Sequence, residues 1–200
     1  MFKSEVDQDK PADPRRRIFL GMSISAVAGA GLWWLREPRL LAEAKNAGTP
    51  KDVTIVQFSD TGQKLHKVHL PMVVKTDDEW RKQLSSNEFD VTRRADTEMA
   101  FTGRYWNLHE PGIYRCICCD NALFSSETKF DSGTGWPSFW QPLAKENVRL
   151  IRDVNLGMAR TAVACTLCDA HLGHVFDDGP APTFERYCMN SVSLKFVKKI

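Results

Sequence analysis

The sequence predicts a mostly β fold of the α+β class, antiparallel, with a few short helices. Three observations carry this. Past residue 89 the apolar residues come in brief runs, at 113–117, 148–151, 158–164 and 191–197, separated by Gly, Pro, Asp and Asn, the punctuation of short strands. No sustained period near 3.6 is found there. Only one helix start is clear, at Thr76-Asp77-Asp78-Glu79, where a capping box lets the hydroxyl accept from a free backbone N–H while Glu79 reaches back. Trp80 and Leu84 then fall four apart on one helical face. Upstream, residues 53–58 alternate with β-branched residues, Asp60-Thr61-Gly62 is a turn signal, and residues 64–74 alternate again, so a hairpin is expected.

The chain has 200 residues, a formal net charge of +2 and 42% hydrophobic residues, enough for one real core. Residues 1–44 hold 7 Lys/Arg and 6 Asp/Glu, leaving 20 against 19 for the remainder. So balanced a surface lacks the basic footprint that holds a protein on nucleic acid, which excludes a zinc finger on DNA.

The front of the chain reads as an address. Arg15, Arg16 and Arg17 precede an uncharged stretch, residues 18–35, that contains Gly21, Ser23, Ser25, Gly29 and Gly31. Arg16-Arg17-Ile18-Phe19-Leu20 resembles the bacterial twin-arginine export signal, and Ala42-Glu43-Ala44 offers a small-x-small cleavage site. At about 1.5 Å per residue the stretch reaches roughly 27 Å, just short of a hydrocarbon core. The alternatives are a general secretory signal and an uncleaved anchor with Trp33 and Trp34 at the interface. Each puts the functional domain outside the cytoplasm, in the periplasm for a twin-arginine substrate. The expected organisation is residues 1–44 as signal or anchor, 45–75 as linker and extra hairpin, and 76–200 as the functional domain.

Six cysteines carry the chemistry, and their spacing decides how. Cys116 and Cys119 form one C-x-x-C pair and Cys165 and Cys168 another. Each pair brings two sulfurs together from one turn, and four thiolates complete the tetrahedron of a closed structural Zn²⁺ site. The 45 residues between the pairs imply that the metal pins two distant segments. Two disulfides, or thiols packing as small hydrophobes, are the alternatives. Cys118 stands between two ligands and either substitutes for one or points away. That leaves Cys188, in Arg186-Tyr187-Cys188-Met189-Asn190-Ser191, and two histidines in His171-Leu172-Gly173-His174. A cysteine is a nucleophile only as thiolate, which needs positive charge, donors or a base nearby.

Four stretches together resemble the B-type methionine sulfoxide reductases, which repair one sulfoxide epimer. They are Gly112-Ile113-Tyr114-Arg115-Cys116-Ile117-Cys118-Cys119, then residues 123–139 with Gly133-Thr134-Gly135-Trp136-Pro137-Ser138, then Cys168-Asp169-Ala170-His171-Leu172-Gly173-His174-Val175-Phe176-Asp177-Asp178-Gly179-Pro180, then Arg186 to Ser191. The motifs stand in family order from about Trp80 to Phe196. The resemblance implies a sandwich-like domain of two antiparallel sheets and one structural zinc on Cys116, Cys119, Cys165 and Cys168. It implies reduction of methionine R-sulfoxide, mainly in oxidised proteins, with Cys188 as nucleophile.

Sulfoxide sulfur is electrophilic, but its oxygen leaves only if protonated, so a thiolate must attack while an acid acts at oxygen. His171 and His174 are the candidate acids, because imidazoles ordinarily titrate near neutrality. Asn190 is expected to hold the catalytic geometry. Trp136 and Phe176 are assigned to the substrate pocket, the indole taking the methyl group, with Asp178 and Arg186 orienting the histidine and Cys188. Many family members carry a resolving cysteine two residues before the pocket tryptophan; here Thr134 stands there. The sulfenic acid is therefore expected to be resolved by a small thiol or a thioredoxin-like donor. Two smaller departures are Ala162, where the family often has Glu, and Phe184, where it often has Gly. The rival classes are an exported, non-catalytic zinc-binding interaction module and a thiol–disulfide oxidoreductase using the C-x-x-C pairs.

Overall fold

The computed structural model describes residues 50–153 and 160–199. The export signal expected in residues 1–44 lies outside the described residues, as do residues 158 and 159 of the third apolar run. Among the described residues no helix is long and apolar enough to cross a membrane.

The strands β1 (Asp52–Phe58) and β2 (Lys64–Pro71) form the expected hairpin. Helix α1 (Asp77–Gln83) starts at Thr76 with the full capping box. A second helix, α2 (Ser86–Arg94), was not anticipated, although Ser85 and Glu88 form a capping box of the same kind. Its short length hid the 3.6 period. Trp80 on α1 and Phe89 on α2 are fully buried, each contributing about 1.5–3 kcal/mol by burial.

Among the described residues nine strands follow: β3 (Gly112–Cys116), β4 (Ala122–Ser125), β5 (Lys129–Phe130), β6 (Ser138–Phe139), β7 (Val148–Asp153), β8 (Arg160–Cys165), β9 (His171–Phe176), β10 (Arg186–Met189) and β11 (Leu194–Lys198). Counting the expected extra hairpin, the described residues make three antiparallel sheets: β1-β2, then β5-β6-β10-β9-β8-β7, then β11-β3-β4. The hairpin stays separate for a local reason. The side chain of buried Asn147 accepts from Val56 N–H at 2.7 Å and donates to the Val56 and Ala122 carbonyls at 2.8 and 2.7 Å. An amide thus stands beside Val56 where a neighbouring strand would otherwise pair.

An aromatic core, Tyr114, Phe124, Phe139 and Tyr187, joins the three-stranded and six-stranded sheets. Phe124 and Phe139 stack at 4.5 Å and Tyr114 meets Phe139 edge-on at 5.0 Å. The six-stranded sheet is thereby held rigidly, and its other side chains build the site.

Candidate active site and metal centre

In an antiparallel sheet, residues directly opposite share a face. The register of the six-stranded sheet therefore lines up Phe130, Ser138, Cys188, His174, Ala162 and Ile151 across β5-β6-β10-β9-β8-β7 on one face. Cys188 and His174 are a directly opposed pair. They line one cavity of about 130 Å³ together with Trp136, Phe176, Asn190, Thr97 and Arg160.

His171 and His174 are three apart, which in a regular strand puts them on opposite faces. The ladder shows why they meet. Val163 pairs with Gly173 and Ala164 with His171, so Leu172 is an extra residue of a bulge. The bulge returns His171 to the His174 face, with the rings edge-on at 5.3 Å. Gly173 permits this, since a Cβ there would stand 2.2 Å from the Cys188 carbonyl oxygen. His171 lines a neighbouring cavity of about 510 Å³ that it shares with His174, and not the one containing Cys188. Burial, reinforced by the His174 ring, pushes its pKa down to about 4, so it is neutral at pH 7.

Cys188 is half-buried. Its sulfur faces Thr134 Oγ1 at 3.8 Å, with Ser138 and the Arg186 guanidinium also within reach. Burial pushes the thiol above its ordinary value, and these three groups pull against that. Arg186 is held by a bidentate pair to Asp178, Nε to Oδ1 and Nη2 to Oδ2, each 2.8 Å. That pair holds the Asp178 carboxyl below the usual range. The Arg186 guanidinium also lies 4.4 Å over the Phe176 ring. Asp178, expected at the histidine, instead pairs with Arg186, and the carboxylate at a histidine is a different one. His174 Nε2 is 3.0 Å from Asp153 Oδ2.

Asn190 lines the cavity while both ends of its amide are engaged: Oδ1 accepts from Glu98 N–H at 3.0 Å and Nδ2 donates to the Leu172 carbonyl at 3.2 Å. Glu98, which the sequence reading missed, is the hub on this side. Its carbonyl accepts from Trp136 Nε1 at 3.1 Å, and its buried carboxylate accepts from Ser191 and Val192 N–H at 2.6 and 3.0 Å. One residue thereby fixes the indole wall against the end of β10. A Glu in a loop gives no periodic signal that could have revealed it.

Away from this cavity, Cys116, Cys119, Cys165 and Cys168 bring their sulfurs within 4.8 Å of one another. Two of the separations are 3.6 Å, Cys116 to Cys168 and Cys119 to Cys165. These exceed the roughly 2.05 Å of a disulfide, so the disulfide alternative fails. A tetrahedral ion with metal–sulfur bonds of about 2.3 Å needs sulfurs about 3.8 Å apart, and the four residues fit it. Asn121 Nδ2 lies 3.6 Å from the Cys165 sulfur as an outer donor. Cys118 is buried facing Thr92 and the Cys116 and Cys168 sulfurs, on the metal side and not beside Cys188.

Comparison with known proteins agrees with this arrangement. The SelR domain family matches residues 84–198. Over 124 residues the chain is 60% identical to peptide methionine sulfoxide reductase B1, chloroplastic, of Oryza sativa subsp. japonica, covering 62% of this chain and 58% of that protein. It is 59% identical over 124 residues to the peptide methionine sulfoxide reductase MsrB of Herminiimonas arsenicoxydans, 62% of this chain and 90% of that one. For MsrB of Thioalkalivibrio sulfidiphilus the figures are 60% over 121 residues, 60% and 88%. The hairpin, residues 52–71, precedes the part that the SelR domain matches. With more than half its length inside that domain, this chain belongs to the MsrB family of peptide methionine sulfoxide reductases.

Proposed function

We propose that the protein reduces methionine R-sulfoxide, mainly in oxidised proteins, back to methionine, with Cys188 as nucleophile and His174 as proton donor. The observation that carries this is the opposed Cys188–His174 pair in one cavity walled by Trp136 and Phe176. The Cys188 thiolate adds to the sulfoxide sulfur, forming an S–S bond, while His174 protonates the oxygen; the hydroxyl then passes to the Cys188 sulfur as the substrate S–O bond and the S–S bond break, and the thioether leaves with its electron pair. Sulfur of the substrate is reduced by two electrons and Cys188 is oxidised to sulfenic acid. A first external thiol condenses with it, giving a mixed disulfide and water. A second restores the Cys188 thiol and leaves as the donor's disulfide. With Thr134 beside the sulfur and Cys118 at the metal side, the donor is a small thiol or a thioredoxin-like protein.

Trp136 receives the methyl group against its indole, and Arg186, held by Asp178, favours the thiolate. The site is completed by Cys116, Cys119, Cys165 and Cys168 holding one structural zinc, which would tie the two C-x-x-C turns together and take no part in the reaction. Residues 1–44 serve as a twin-arginine-type export signal, recognised by that machinery, so the enzyme works in the periplasm. A membrane is involved only if that segment is not cleaved. Residues 45–75 form the linker and hairpin, and 76–200 the reductase domain.

The deciding experiment supplies each epimer of a methionine sulfoxide peptide with dithiothreitol. The R epimer is turned over, the S epimer is not, and Cys188→Ser abolishes turnover. Reduction of the S epimer alone would overturn the proposal, and no turnover of either epimer by the zinc-loaded protein would favour a non-catalytic module.

A further inference from the structure

We propose that Asp153, at the end of the edge strand β7, is a positioning residue for His174, accepting the Nε2–H of the imidazole and leaving Nδ1 as the ring nitrogen available to the sulfoxide oxygen. The inference rests on the reading of His174 as the proton donor.

The geometry comes from two neighbouring rows of the six-stranded sheet. One is the Cys188, His174, Ala162, Ile151 row. Two residues along β7 from Ile151 and β8 from Ala162, on the same face, Asp153 stands directly opposite Arg160. Ala162, the residue facing His174 from β8, brings only a methyl group. The ring is therefore met by a carboxylate from one strand further out, His174 Nε2 to Asp153 Oδ2 at 3.0 Å. Arg160 Nη2 lies 3.4 Å from the same oxygen and steadies it. The His174 and Asp153 side chains are 15% and 13% exposed, so little water competes for the bond.

A carboxylate can only accept, so hydrogen stays on Nε2 whether the ring is charged or neutral. The imidazolium then carries its second hydrogen on Nδ1. When this passes to the sulfoxide oxygen, the Nδ1–H bond breaks, an O–H bond forms, and the neutral ring retains Nε2–H bonded to Asp153. Catalysis thus proceeds without disturbing the contact that aims the ring. The other groups facing His174 do not provide this acceptor. His171 on β9 meets the ring edge-on with the centroids 5.3 Å apart, Arg160 on β8 only donates, and Cys188 on β10 is the nucleophile.

The test combines ring-nitrogen NMR of His174 in the full chain with kinetics on an R-sulfoxide peptide. In the wild type at neutral pH, hydrogen is expected on Nε2 with a protected downfield proton; Asp153→Ala should abolish that resonance. The same variant should lower kcat about 10- to 100-fold, as misplacement of a reacting group does, with KM changed less than about twofold. Adding Ala162→Glu to Asp153→Ala, a carboxylate directly across from His174, should recover most of the kcat and the resonance. A wild-type spectrum with hydrogen on Nδ1 alone, or full kcat in a folded Asp153→Ala, would overturn the inference. Should Asp153→Ala fail to fold, the wild-type tautomer still decides. A wild type that reduces no R-sulfoxide refutes the proposed reaction instead, and the spectrum reports on the contact independently.

Discussion

Replacing Asn147 by Leu removes the amide that anchors the hairpin, and the cost can be worked from its partners. Three buried backbone groups lose their hydrogen bonds: Val56 N–H, the Val56 carbonyl and the Ala122 carbonyl, all within 2.8 Å of the amide. Val56 is 1% and Ala122 2% exposed, so water does not replace the lost partners without rearrangement. At about 1–2 kcal/mol per stranded group, Asn147→Leu should destabilise the protein by about 3–6 kcal/mol, a large part of a typical domain's stability of about 5–15 kcal/mol. Urea unfolding of the reduced, metal-loaded protein at pH 7 measures it. Hydrogen exchange at Val56 should accelerate with it, because the hairpin edge opens first. A loss below about 1 kcal/mol, with Val56 still protected, would refute the reasoning and show that the hairpin is held without that amide.

Other outcomes follow from the same geometry. Burial holds His171 at about 4, below the ordinary 6.5, so between those values the unfolded chain takes up a proton that the folded one does not. The stability due to the neutral ring is complete above about pH 6.5 and is lost as pH falls toward 4, about 2 kcal/mol between pH 7 and 5; urea midpoints of wild type and His171→Gln should diverge by that amount. Phe184 adopts φ +60 and is 63% exposed, a left-handed conformation costing an L residue about 1–2 kcal/mol. Phe184→Gly should therefore raise stability by about 0.5–1 kcal/mol, net of glycine's greater freedom when unfolded, as a higher melting temperature would report. Since Thr134 Oγ1 is 3.8 Å from the Cys188 sulfur, Thr134→Cys should form a disulfide to Cys188 after one turnover without reductant, read by mass spectrometry of the peptide pair. The wild type should not.

The metal ligands were legible because two sulfurs on one turn leave a local spacing, and the structure brings those four together. Cys188 and the histidine motif were legible through family resemblance alone; nothing in the residues around them distinguishes a nucleophile from a core cysteine. Asp178 was expected at the histidine and is found on Arg186, since a sequence carries no sign of whether a carboxylate pairs with an arginine on its own side or with a ring two strands away. Asp153 was invisible for the same reason: its role depends on the register of three strands. The bulge at Leu172 was equally hidden, because one inserted residue shifts which face a histidine occupies without changing composition. Asn147, the last of three polar residues before an apolar run, looks like a loop residue until β1 is found against it. Helix α2 could have been read from Ser85 and Glu88, but nine residues are too few to establish a period.

The central claim concerns a single sulfur, and one measurement addresses it most directly. Mixing the protein with one equivalent of an R-sulfoxide peptide in the absence of any thiol, then trapping with a sulfenic-acid reagent such as dimedone, should label Cys188 alone, in step with one equivalent of reduced peptide. Label on any of Cys116, Cys118, Cys119, Cys165 or Cys168, or peptide reduced in full by Cys188→Ser, would contradict the account.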